Sequence, residues 1–174
     1  MIKITCKDEF FNSIINNLLH QKNLTNDINT DKYFVNIEIE FMHNNLNLNC
    51  DCKKDSLSIP IDINSLYGHI LRIISDIKIS KNDYDYFPYQ RVLMKKSKKS
   101  LLSDIQNTIF SNLIISKSGI NKDKLYGLIW KKDKDISINK LDTHLTNLKN
   151  QLKKDLGMNA YFQSQDKTLK LLIN

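Results

Sequence analysis

The sequence predicts an α+β protein of two domains, and three observations predict it. Segments that alternate apolar and polar residues are interleaved with segments whose apolar residues recur every 3.6 positions. Charge is divided unevenly: residues 1–86 hold nine Lys/Arg against twelve Asp/Glu, while residues 87–174 hold seventeen against seven. The last part of the chain reads as three helical segments followed by a two-stranded turn. A small N-terminal α/β domain over residues 1–80 and a second domain over residues 86–174 are therefore expected.

The first domain opens with a short strand, Ile2-Lys3-Ile4, and a helix over 8–21 whose apolar positions are Phe10, Phe11, Ile14, Ile15, Leu18 and Leu19. A polar loop over 22–31 follows. Val35, Ile37, Ile39 and Phe41 then alternate with Asn36, Glu38 and Glu40, the pattern of a strand with one wet face. Residues 46–50 and 56–61 give two more strands, so a meander is expected. Pro60 closes it, and Asn64 or Ser65 is placed to cap a helix carrying Leu66, Ile70, Ile73, Ile74 and Ile77 on one face. That face can bury itself against the sheet or pair with a second copy of the chain. Residues 80–85, short and polar, are expected as the boundary.

In the second domain, residues 86–94 suit strands, and the basic turn Lys95-Lys96-Ser97-Lys98-Lys99 follows. Ser103 is a good N-cap for a helix burying Ile105, Ile109, Phe110 and Leu113. Gly119 breaks the chain before a second helix from about Asn121 to Trp130, with Leu125, Leu128 and Ile129 inward. A basic loop containing Lys131 and Lys132 leads to a third helix behind Ser137. Its leucines at 141, 145, 148, 152 and 156 form one face, and Gly157 ends it. Residues 160–164 and 168–173 alternate around Gln165-Asp166-Lys167 and read as a β-hairpin. Three helices and a hairpin is the order of a winged helix-turn-helix, whose third helix enters the major groove of DNA.

Composition narrows the function. No run approaches the ~20 apolar residues of a membrane-spanning helix, and Asp8 and Glu9 arrive before any leader-like apolar stretch. A cytoplasmic protein with no membrane partner is expected. Cys6, Cys50 and Cys52 lack C-x-x-C or Cys/His metal spacing, so reduced thiols and no metal are expected. With no Gly-rich phosphate loop, G-x-S-x-G or H-E-x-x-H, neither enzyme activity nor a cofactor is expected. The excess of lysine in residues 87–174 is the footprint of a phosphate-backbone binder.

The segment Ile120-Asn121-Lys122-Asp123-Lys124-Leu125-Tyr126-Gly127-Leu128-Ile129-Trp130 resembles the second-helix segment of OmpR/PhoB-type response regulators, which ends in Leu…Val/Ile-Trp. Residues 138–152, with Leu141-Asp142-Thr143-His144-Leu145 and then Leu148 and Leu152, resemble that family's recognition helix, T-V-D-V-H-I-x-x-L-R-x-K-L. Leu102-Ser103-Asp104-Ile105-Gln106 is similar to its L-T-x-x-E opening, with Ser for Thr and Gln for Glu. The resemblance covers about the last 75 residues. It implies a transcriptional regulator with double-stranded DNA as partner, a homodimer on paired half-sites, and RNA polymerase as a further partner.

The leucine face must be buried, which leaves Asn139, Lys140, Thr143, His144, Asn147 and Asn150 elsewhere on the cylinder as candidate DNA contacts. The resemblance adds Lys149 and implies that Thr143, His144 and Asn147 lie at or near DNA. Lys131, Lys132 and Lys167 are the candidate phosphate contacts outside the helix. Each has a competing reading: His144 can satisfy a local hydrogen bond, Asp142 is more often an intradomain partner, and a lone lysine is usually solvated. Lysine at 149 and Asn147 replace positions where the family has, or often has, arginine, so weaker or more A/T-tolerant recognition is expected. The family's terminal Gly-x-Gly-Tyr is replaced by residues 164–168, implying fewer minor-groove contacts.

The first domain is read as regulatory or dimerising, at most a shortened and degenerate receiver. Asp8-Glu9 can serve as a receiver's acidic pair, but no Asp follows the strand at 33–42, and Ile59 stands where a receiver's Lys precedes proline. Action independent of phosphorylation is therefore expected. The competing function is an adaptor whose winged helix binds an acidic protein partner.

Overall fold

The computed structural model describes residues 2–21, 35–50, 53–116, 118–130 and 138–173. The chain is of mixed α+β class and divides into two compact units, Met1–Ile77 and Lys78–Asn174.

The first unit runs β1 (Ile2–Cys6), α1 (Glu9–Gln21), β2 (Val35–Met42), β3 (Asn45–Cys50), β4 (Lys53–Ser58) and α2 (Ile63–Ser75). Its strands form one sheet in the order β1-β2-β3-β4. The register Ile4↔Ile37, Ile39↔Leu48 and Leu46↔Leu57 aligns the apolar residues of all four strands on one face, where each of these is buried. Asn36, Glu38, Lys54 and Ser56 alternate to the other face and are exposed. Ile15 of α1 and Leu66, Ile70, Ile73 and Ile74 of α2 are buried. The helix α2 is tied to the apolar side of β4 by Asp55, which accepts a hydrogen bond from Arg72 and lies 3.3 Å from Nδ1 of His69. Burial works to raise the Asp55 carboxyl, but the hydrogen bonds of Arg72 and His69 outweigh it and hold the group below its usual range.

Several expectations for this unit are corrected. The third meander strand starts at Lys53, not Ser56, because Lys53 pairs with Cys50 and carries the β3 ladder backwards. The cap of α2 is Asp62, whose carboxylate accepts from the Asn64 and Ser65 amides at 3.0 Å each. A receiver's sheet is parallel throughout. Here only β1 and β2 are parallel, across α1, while β2, β3 and β4 pair antiparallel through short connections too brief for a parallel crossover. The apolar face of α2 expected for a homodimer is buried within the chain, Ile77 included, and is not open to a second copy. The loop expected over 22–31 and Cys52 lie outside the described residues.

The second unit begins with an antiparallel four-stranded sheet in chain order, β5 (Ile79–Lys81), β6 (Tyr84–Phe87), β7 (Val92–Lys95) and β8 (Lys98–Leu101). Residues 80–85, expected from sequence as a boundary, are instead β5, a turn and β6. Asn82 takes φ of +53° there, a conformation asparagine tolerates better than most side chains. Strands of three or four residues are too short to show a period. After the sheet come α3 (Asp104–Ile115), β9 (Ile120–Asn121), α4 (Lys122–Ile129), α5 (Ile138–Leu156), β10 (Ala160–Gln165) and β11 (Thr168–Ile173), the last two joining β9 in a sheet ordered β10-β11-β9.

The core of this unit holds Ile109, Phe110 and Leu113 of α3 with Tyr86 of β6, whose ring lies 4.8 Å from that of Phe110 in an edge-on arrangement. Ile105 is only half-buried, and Gln106 is buried instead. In α4 the buried residues are Leu125 and Tyr126, while Leu128 and Ile129 are half-buried. Ser103 caps α3 reciprocally: its Oγ accepts from the Gln106 amide at 3.3 Å and its own amide donates to Gln106 Oε1 at 2.8 Å. Gly157 ends α5 at φ of +65°, with the Met158 amide donating back to Leu152 O at 3.2 Å.

Candidate nucleic-acid interface

The helix α5 is amphipathic by construction. Leu141, Leu145, Leu148, Leu152 and Leu156 are all buried, so the residues half a turn away must face solvent. Thr143, Asn147, Asn150 and Lys154 follow the same spacings of four, three and four on the opposite side, and all are exposed. Asn139 and Thr146 flank this stripe and are exposed too. Both acids of the helix are engaged elsewhere: Asp142 meets Nζ of Lys122 at 3.4 Å, and Asp155 accepts from Ser100 Oγ at 2.7 Å. The outward stripe is thus neutral or basic along its length.

A polar network anchors the helix. Gln106 Nε2 donates to Gln151 Oε1 at 2.8 Å, and Gln151 Nε2 donates to Ser100 Oγ at 2.9 Å and to Leu101 O at 2.8 Å. These bonds join α3, α5 and β8 at one point and fix the rotation of α5 about its axis. Partners are thereby supplied to the side-chain amides drawn into this junction, as burial requires.

Of the residues expected as DNA contacts, Asn139, Thr143, Asn147 and Asn150 share the outward side. Thr143 Oγ1 donates to Asn139 O at 2.8 Å and keeps its acceptor capacity. Lys140 and His144 lie toward α4 and meet Trp130: the Lys140 Nζ is 4.8 Å from the indole centroid, and the His144 ring is 5.7 Å away. Tyr126 packs against the same indole, with 4.4 Å between ring centroids. Lys149 sits on the opposite flank, its Nζ 5.5 Å from the Tyr161 ring. Lys167 occupies the hairpin turn with Asp166, both at positive φ, and is drawn to Asp123 of α4 at 3.6 Å. Its carbonyl accepts from the Lys122 amide at 2.8 Å, so the hairpin turn is docked on the start of α4. Lys131 and Lys132 lie outside the described residues.

Lys153 and Lys154 are not among the contacts expected from the sequence, although the spacing of the outward stripe reaches Lys154. The start of α4 is set by Asn121, whose Oδ1 accepts from the Asp123 and Lys124 amides at 2.8 and 3.1 Å. Asn121→Ala is expected to cost about 1 kcal/mol, measured as a lower urea midpoint by tryptophan fluorescence. An unchanged midpoint would mean that this cap contributes nothing.

In the first unit, Asp8 Oδ1 accepts from the Phe11 amide at 2.8 Å at the start of α1, and Lys7 pairs with Glu40 at 3.0 Å. Among the described residues no three His, Cys, Asp or Glu side chains gather around a point where an ion would sit. No described helix is long and apolar enough to cross a membrane. The chain matches no protein-family model and no curated protein.

Proposed function

We propose that residues 78–174 form a winged-helix domain that binds double-stranded DNA with α5 in the major groove, and that the protein is a sequence-specific transcriptional regulator acting without phosphorylation. The observation that carries this reading is the outward stripe of α5, hydrogen-bonding or basic at every position and with both acids of the helix turned to other partners. Such a surface meets the phosphate walls of a groove without repulsion, and its asparagine amides match the paired donor and acceptor of an adenine edge. The order α3, α4, α5 and hairpin supports it. So does the excess of seventeen basic over seven acidic residues in 87–174.

A contact between two of the motif positions is in keeping with the resemblance. Where the family's opening and recognition-helix motifs have Glu and Lys, this chain has Gln106 and Gln151, and these two side chains are hydrogen-bonded at 2.8 Å. Both positions hold neutral side chains here, and they satisfy each other. Independence from phosphorylation is supported by Asp8, whose carboxylate is occupied as the cap of α1.

The test is fluorescence anisotropy of the intact protein on random and A/T-rich duplexes across a salt series, beside an Asn147→Ala, Asn150→Ala variant. The wild type is expected to bind with a steep salt dependence and a preference for A/T-rich sequence. The variant removes no charge, so it is expected to bind roughly ten- to a hundredfold more weakly with the salt slope unchanged. Absence of binding to any duplex at low salt would overturn the proposal in favour of an acidic protein partner.

A further inference from the structure

The hairpin between β7 and β8 places lysines at one end of α5. Lys95 meets Asp83 at 2.8 Å, whereas among the described residues Lys98, Lys153 and Lys154 form no ion pair. Lys96 occupies the turn at φ of +54° and is exposed. The strand β8 is held to the last turns of α5 by Ser100 Oγ on Asp155 and by Gln151 Nε2 on Leu101 O. Alternation puts Lys98 on the same sheet face as Ser100, about 7 Å further toward the C-terminal end of the helix. Lys154, three residues past Gln151, projects on the neighbouring side of the helix, while Lys153 turns to the flank of Lys149, and both are exposed. Lys99 points the other way, beside Met94. The acids nearest this cluster, Asp83 and Asp155, already have partners.

We infer that Lys96, Lys98 and Lys154 form a phosphate-tracking surface that extends the DNA footprint beyond the groove holding α5, an inference that rests on the DNA-binding reading above. From Thr143 to Lys154 the outward stripe is about 16 Å long, more than the ~12 Å width of the major groove. Its C-terminal end therefore emerges over the bounding strand, where Lys154 meets phosphate and the hairpin lysines continue the track. A lysine used in this way acts as a point charge and carries no sequence preference.

The experiment is the salt dependence of binding of the full chain to a mixed-sequence duplex. Lys96→Asn with Lys98→Gln is expected to lower the slope of log K against log salt by about 2, close to 0.9 for each phosphate that is no longer neutralised, and to weaken binding equally on every sequence. Lys99→Gln, an equal change of charge per residue on the opposite sheet face, is expected to leave the slope unaltered. Lys98→Arg, which keeps the charge, is expected to keep it as well and so controls for folding of the hairpin. A double variant with the wild-type slope, or a Lys99→Gln variant with a slope reduced as much per residue, overturns the inference while leaving the α5 reading intact. A wild type that binds no duplex removes both.

Discussion

Gly119→Ala is expected to destabilise the second unit by roughly 2–5 kcal/mol. Gly119 has φ of +92°, where an L side chain is strained in any surroundings. A Cβ built there would lie 2.7 Å from Lys170 Cγ, 2.7 Å from Thr168 Cγ2 and 2.8 Å from the carbonyl oxygen of Leu169. The two side chains can shift in part, but the carbonyl cannot, because Leu169 is paired with Ile120, the residue next to the glycine. Relief therefore requires β9 to part from β11, which also releases the hydrogen bond between the Lys122 amide and the Lys167 carbonyl at the start of α4. The chain has one tryptophan, Trp130, and it lies in this unit, so urea unfolding followed by tryptophan fluorescence reads the effect directly. Against a typical total of about 5–15 kcal/mol, the loss should move the midpoint far down. A wild-type midpoint would show that β9 and β11 are not paired this closely.

Gln106→Glu and Gln151→Lys are each expected to destabilise the same unit by about 1–3 kcal/mol alone, and together to recover most of that loss. Gln106 is 8% exposed, and its amide already donates to Gln151 Oε1. A carboxylate at 106 sets two acceptors against each other. If Gln151 turns its amide to meet it, Leu101 O loses its donor. A lysine at 151 leaves the Gln106 side-chain amide without its acceptor, and the carboxylate within its reach, Asp155, is already bonded to Ser100. With both changes the two charges face each other and the network closes again. A double-mutant cycle by urea denaturation is expected to give a coupling of about 1–3 kcal/mol. Additive losses would mean that these positions do not act as a pair, and would remove one support for the resemblance on which the winged-helix proposal draws.

Wherever a long stretch has one face against the core, periodicity alone located it. The leucines of α5, Ile37 and Ile39 of β2 and the isoleucines of α2 are buried as their spacing requires, because a regular element can hide only the residues that recur with its own period, although Phe41, at the end of the β2 alternation, is exposed. Caps were less legible. Asp62 takes the role expected of Asn64 or Ser65, since all three residue types can cap and only the backbone path decides which carboxylate or hydroxyl meets the free amides. Strand β5 and the start of β6 are not legible in the sequence because their pairing, not their composition, makes them strands.

By itself, then, the sequence determined the class of the protein, the existence of α2, α5 and the β2–β3 ladder, and the polar character of the outward side of α5, since these follow from local period and composition. Tertiary structure alone decided which expected contacts face outward together. His144 and Lys140 are drawn to Trp130, Lys149 to Tyr161 and Lys167 to Asp123, through neighbours distant in sequence. It also decided that β1 joins the meander of the first unit parallel to β2, because strand direction depends on how the chain returns and not on the residues within each strand. The rotation of α5 belongs to the same class of fact. It is held by Gln106, Gln151, Ser100 and Asp155, four residues whose chemistry is ordinary and whose meeting no spacing announces.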